Sequence, residues 1–148
     1  MATRSRIGIL NSNGTVNSIY CHWDGYLIYN GQRLLDHWQD EAKVRELMAL
    51  GDIRSLGNCI GKPPEGLADE MPGWCEAYGL DTGQAGQECR LHTNVAAFVD
   101  PSHWEEFFYL FDAGTWMVSS GGAWHTVLDA IALEQAKMAE EDEEVEEA

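Results

Sequence analysis

Between Ser18 and Trp38 the chain reads SIYCHWDGYLIYNGQRLLDHW, which brings together one cysteine, two histidines, two aspartates, three tyrosines and two tryptophans. A histidine beside a carboxylate can serve as a general base or bind a metal, because the carboxylate fixes the imidazole tautomer. His22, Asp24 and His37 are the candidates here. Successive strand residues point to opposite faces, which separates Cys21 from His22. His37 would stand near the far end of a helix about 18 Å long, which works against its meeting His22. The balance falls on scaffold: His22 hydrogen-bonded at a sheet edge, Trp23 in the core and Asp24 capping a helix. The rival is a pocket for a ligand or substrate lined by Tyr20, His22, Asp24 and Tyr26.

A second set lies further on. Cys89 and His92, in CRLH, have ligand-pair spacing, with Cys59 and Cys75 upstream. Structural zinc sites usually show two tight pairs and this set has one, so the expectation is ordinary thiols, no metal and no cofactor. SSGGAWH lacks the lysine and the strand–loop–helix setting of a phosphate loop. Ser119 and Ser120 lie close to His125 in sequence, which is not triad geometry. Trp104, Phe107, Phe108, Tyr109, Phe111 and Trp116 read as core first and as a binding patch second.

The elements that would position these residues begin with a hairpin. RIGIL and TVNSIYCHW flank SNGT, and Asn13-Gly14 predicts a tight type I′ turn that sets Ile9 opposite Ser18. Ile19, Cys21 and Trp23 then share one face, and Ser18, Tyr20 and His22 the other. Leu27, Gly31, Leu34, Leu35 and Trp38 form a helical stripe, with Gly31 allowing close approach. A second helix over QDEAKVRELMALG has Val44, Leu47 and Met48 inward, a Glu41–Arg45 pair, and Gly51 as its left-handed end. Residues 52–94, rich in Gly and Pro, read as a long loop-rich insertion. NVAAFVD reads as a strand, EEFFYLFDAGTWMVSS as a second hairpin around Ala113-Gly114, and AWHTVLDAIALEQAKMAEE as a helix striped by Trp124, Leu128, Ile131 and Gln135.

Together these predict an α+β domain over residues 1–139 and an acidic tail over 140–148. Its sheet is antiparallel, four to five strands from two hairpins plus one strand, with two helices on one face and a C-terminal helix. With 148 residues and 45% hydrophobic content the chain can bury a core unaided. MATRSRIGIL has too short an apolar run for a signal peptide, so the expected setting is the cytoplasm, with reduced thiols.

The net charge is −16, and seven of the 25 acidic residues lie in the last nine positions: Glu140, Glu141, Asp142, Glu143, Glu144, Glu146 and Glu147. The remaining 18 acids against 9 bases leave the body at −9. Such a surface repels phosphate, which argues against nucleic acid and anionic membranes as direct partners and for a protein with a basic surface.

GTVNSIYCHWDGY, NGQRLL and LGDIRSLG resemble a family of small, functionally uncharacterised proteins of bacteriophages and scattered bacterial genomes. The match covers residues 4 to 57 well, and FFYLFDAGTWMV fits it loosely over 104 to 118. The resemblance implies no catalytic residues. It implies a phage- or prophage-encoded accessory protein acting in the host cytoplasm. The reading that follows is a non-enzymatic protein that binds and modulates or inhibits a host protein, at a basic site that could be one for nucleic acid.

Overall fold

The computed structural model describes residues 3–60, 75–77, 88–100, 105–120 and 122–147. In chain order the elements are β1 (Ser5–Leu10), β2 (Val16–Cys21), a π-helical turn (Leu27–Gly31), α1 (Gln32–His37), α2 (Glu41–Ala49), β3 (Ile53–Ser55), β4 (Glu76–Ala77), β5 (Arg90–His92), α3 (Val95–Phe98), β6 (Phe107–Asp112), β7 (Thr115–Ser119), β8 (His125–Thr126) and α4 (Val127–Glu147). The sheet runs β4-β3-β2-β1-β6-β7-β8, and β5 also pairs with β2.

The class is α+β, but the sheet is mixed and wider than the antiparallel sheet of four to five strands that the sequence suggests. β1 runs parallel to β6, and β2 parallel to β3. The two hairpins do meet, through β1 and β6, and they lie side by side in the same direction. β6 is buried along most of its length, as a central strand covered on both faces must be. That explains why FFYLF shows little alternation.

Both hairpins form; the second turns at Ala113-Gly114 as expected, and the first departs from the expected two-residue turn. Asn11 N–H donates to the Thr15 carbonyl and Gly14 N–H to the Asn11 carbonyl. Only Gly14 in this loop has positive φ, at 88°. This is a three-residue connection closed by a left-handed glycine. The extra residue shifts the register: Ile9 lies opposite Asn17 and Gly8 opposite Ser18. The two-residue turn is at Ala113-Gly114, between paired Asp112 and Thr115, with φ of 47° and 91°.

One face of the sheet carries the main core. Ile7, Ile9, Ile19, Cys21, Tyr109, Phe111, Trp116 and Val118 pack there against Leu34 and Trp38 of α1, Val44, Leu47 and Met48 of α2, and Val127 and Ile131 of α4. Each indole finds a buried acceptor: Trp116 Nε1 donates to the Trp38 carbonyl at 2.8 Å, and Trp38 Nε1 to the Gly57 carbonyl at 3.0 Å. The opposite face holds a smaller cluster of Val16, Phe98, Phe108 and Leu110.

Several local expectations change. NVAAFVD carries a short helix rather than a strand, because Asn94 Oδ1 accepts the Ala97 N–H at 2.8 Å and caps it. Asp24 caps nothing: it has a φ of 59°, and the turn after Tyr26 has no side-chain cap. Trp23 is 38% exposed rather than in the core. Trp124 precedes α4, which Thr126 caps through the Asp129 N–H, and its buried residues are Val127 and Ile131 while Leu128 is exposed. Within 52–94, short strands β3, β4 and β5 join the sheet; the loop reading over 61–74 and 78–87 falls outside the described residues.

α2 matches expectation in three respects: Val44, Leu47 and Met48 are buried, Glu41 and Arg45 pair at 3.8 Å, and Gly51 has a φ of 75°; its cap, Asp40, is not among the expectations. Gly31 does permit close approach, since a Cβ there would lie 3.3 Å from Val127 and 3.4 Å from Tyr109. Gly25 is tighter. Its N–H donates to the Thr3 carbonyl at 2.9 Å, its carbonyl accepts from Tyr109 Oη at 2.7 Å, and a Cβ would fall 2.8 Å from the Thr3 carbonyl oxygen.

Two stability predictions follow from these geometries. Gly25→Ala forces backbone against backbone and should lower unfolding stability by roughly 1–3 kcal/mol. Ala113→Gly relieves a left-handed alanine and should raise it by about 0.5–1 kcal/mol. Urea midpoints of the two variants against wild type decide both.

Candidate functional site

Strand alternation places Arg6 and Gly8 on the face away from the three long helices. The register sets Tyr20 beside Arg6 and Ser18 beside Gly8. β5 then lays Arg90 against Ser18 and His92 against Val16 on the outer edge of β2, while β3 meets that same edge at Cys21. Between them the Tyr20 N–H is taken by Asp52 Oδ1 at 2.9 Å, so a carboxylate fills the gap between two short strands.

The centre of this face is a buried charge. Arg6 is 0% exposed. Its Nε lies 3.5 Å from Glu105 Oε2, and both side chains are almost fully enclosed. Its Nη1 donates to Ser18 Oγ at 3.0 Å, and Ser18 Oγ lies 2.6 Å from His92 Nε2. The serine oxygen has a lone pair for each partner, and the His92 tautomer decides which of Ser18 Oγ and His92 Nε2 carries the shared hydrogen. Burial works against the Arg6 charge, and Glu105 and Asp52 counter it. Burial, then Arg6 and Arg90, hold the His92 pKa below its ordinary value.

A hydroxyl between an imidazole and a guanidinium has the parts of an activated nucleophile. Ser18 is 0% exposed, however, so no substrate carbon can reach it in this conformation. The arrangement ties β1, β2 and β5 together.

Of the pocket residues read from the sequence, two meet. Tyr20 Oη and His22 Nδ1 are 2.9 Å apart, and burial, then Arg4 and Arg54, lower the His22 pKa. Asp24 turns instead to Arg33, at 3.9 Å, and Tyr26 faces Tyr29 with ring centroids 6.0 Å apart. His37 is exposed at the end of α1, where its carbonyl accepts from Lys43 Nζ.

Cys59, Cys75, Cys89 and His92 do not gather: no group of three metal-ligating side chains occurs among the described residues. Cys59 is exposed while Cys75 is buried, and burial pushes the Cys75 thiol up to about 11 and that of Cys21 to about 12. Such thiols are poor nucleophiles. Ser119 Oγ donates to the Gly122 carbonyl at 3.0 Å. Ser120 and His125 share the rim of a cavity of about 220 Å³ floored by Leu27, Phe107 and Val118. A second cavity of about 320 Å³ lies between Phe108, Ser119 and Trp124. Tyr20, His22, Asp24 and Tyr26 line neither.

Phe108, Tyr109, Phe111 and Trp116 are core, and Trp104 lies outside the described residues. Among the described residues, the large exposed aromatic side chains are Trp23, Tyr26 and Tyr29. Sequence reasoning missed Arg6, Ser18, Asp52 and Glu105. The available signals were an arginine inside the apolar RIGIL and an acid just ahead of FFYLF.

Compared with family models, curated proteins and solved structures, the chain matches none.

The buried ion pair carries its own test. Glu105→Gln leaves the Arg6 guanidinium enclosed without its carboxylate and should cost roughly 3 kcal/mol. Arg6→Met combined with Glu105→Gln should recover most of that loss, as read from urea denaturation of the single and double variants.

Proposed function

We propose that this is a non-enzymatic binding protein that docks on a basic surface of another protein and modulates or inhibits it. What supports the reading most is the course of α4. Val127 and Ile131 anchor the helix in the core, the side chains from Gln135 to Glu140 are exposed, and the helix continues through Glu147. From Ile131 to Glu147 it spans about 24 Å, and the seven terminal acids lie along this part of the helix. The polar residues of the opening stretch are engaged within the fold, in the Arg6–Ser18–His92 tie and the Tyr20–His22 and Asp24–Arg33 pairs.

A concentrated negative field attracts a basic partner and acts chiefly on the association rate, within a screening length of about 10 Å at 0.1 M salt. The same charge disfavours direct contact with nucleic acid or an anionic membrane. A basic site that otherwise holds nucleic acid is the surface it would suit. The resemblance to phage and prophage proteins sets the proposed target inside a bacterial host, in the cytoplasm. No helix among the described residues is long and apolar enough to cross a membrane.

Deleting residues 140–148 should slow association several-fold at low salt and flatten its dependence on ionic strength, while leaving the thermal midpoint nearly unchanged. Binding should weaken without vanishing, because the body keeps a charge of −9 from 18 acids and 9 bases. The measurement is capture of partners from bacterial lysate on full-length protein, then association kinetics of the captured partner with both forms. Equal rates and equal salt slopes would reduce these acids to a solubility device, and capture of no basic protein would remove the reading.

A further inference from the structure

We propose that the cavity at the β7–β8 end of the sheet binds a small, uncharged cyclic molecule carrying one hydroxyl, of which phenol is the simplest. The sheet register builds this site. β8 pairs with β7 so that His125 lies opposite Val118, and Val118 lies opposite Tyr109 of β6. Directly paired residues share a face, so His125 stands on the helical side, with the main core. Alternation puts Phe107, two residues from Tyr109, on the same side, and carries on to Ser120, two past Val118. Leu27 of the π-helical turn and Ala130 of α4 complete the lining.

The cavity has an apolar floor and a polar mouth. Leu27, Phe107 and Ala130 pack against the core yet are only partly buried, so they bring uncovered apolar surface to it beside Val118. Phe107 is held by its stack on Tyr109, with ring centroids 6.2 Å apart, so this wall is formed in advance. Ser120 and His125 are exposed. Among the described residues neither of their side chains has a hydrogen-bond or ion-pair partner. Ser18, Tyr20, His22 and His92 differ, since each is engaged with another side chain of the fold.

The lining sets the chemical class of the ligand. The volume is about 220 Å³. An apolar cavity of about 150 Å³ takes benzene, so there is room here for one six-membered ring and a further group. No lysine, arginine, aspartate or glutamate is among the described residues that line it. A carboxylate or an ammonium would thus lack a countercharge, and burying an unpaired charge is costly. A hydroxyl is answered twice, because a neutral imidazole offers an acceptor nitrogen and a serine hydroxyl can donate. The ring then lies inward against Phe107 and Val118, and the hydroxyl lies at the mouth between Ser120 and His125. The site stands apart from the acidic end of α4 and does not depend on a basic partner.

Phenol titrated into isotope-labelled full-length protein, followed by backbone amide shifts, tests the proposal. Saturable shifts should appear at Leu27, Val118, Ser120 and Ala130 and be absent from the β1–β2 hairpin. Phenol should bind several-fold more tightly than benzene, which lacks the hydroxyl, and than benzoate, which brings a charge. His125→Phe and Ser120→Ala change exposed positions; each should weaken phenol several-fold without weakening benzene. Ala130→Leu fills the cavity and should abolish binding of both, with its urea midpoint showing that it folds; if it does not fold, the two exposed variants decide. The proposal is overturned by shifts that do not saturate or that spread over the whole sheet. It is equally overturned if phenol, benzene and benzoate bind alike, or if either exposed variant keeps the wild-type affinity for phenol.

Discussion

A guanidinium cannot shed its charge, so enclosing Arg6 completely in the second strand-face of the sheet obliges the surroundings to compensate. Glu105 supplies the countercharge and Ser18 accepts a hydrogen bond. The demand constrains topology as well as chemistry. Glu105 immediately precedes β6, and the parallel register of Ser5 with Phe107 brings that end of β6 to the start of β1. An antiparallel pairing would carry Glu105 to the opposite end of β1. Strand direction and ion pair are thus mutually consistent, and the residues around Arg6 are the ones most dependent on the direction of β6.

The helical side of the sheet is held differently. Its core is apolar and aromatic; its polar handles include the two indole N–H groups and the Tyr109 hydroxyl, bonded to backbone carbonyls, and the buried Asn30 amide, which reaches Ser5 Oγ, Cys21 Sγ and the Trp23 carbonyl. The Tyr109 bond to Gly25 locks the chain at its exit from β2, where the absence of a Cβ lets it lie against Thr3. The turn that follows presents Tyr26, Ile28 and Tyr29 to solvent, while Gly31 lets α4 settle against it. The two faces therefore have separate tasks. One supplies most of the buried apolar area, and the other stores charge.

Charge is segregated along the molecule too. Arg4, Arg6, Arg54 and Arg90 surround the row of Tyr20, His22, Ser18 and His92, whereas the densest acids run out along α4. Burial first, and the neighbouring arginines second, hold both histidines below their ordinary pKa. Along α4, Lys137 is the one base between Val127 and Glu147.

What the sequence determined by itself were features closed within a few residues. The Asn-Gly and Ala-Gly turns, Gly51, the inward stripe of Val44, Leu47 and Met48, and the in–out faces of β2 all depend on neighbours near in the chain, and each has a compositional signature. Even there, one residue in the first loop shifted the register, because loop length and not the dipeptide alone selects the turn. Tertiary structure alone decided the rest. The parallel meeting of the hairpins, the short strands gathered from 52–94, and the helical fate of VAAF depend on partners far along the chain. Ser18 and His92 are 74 positions apart, and no spacing rule links them. Buried charge is visible in a sequence only as an oddity, an arginine among isoleucines; which carboxylate and which hydroxyl answer it is fixed by where the chain returns, since electrostatic compensation acts through space and leaves no local period to read.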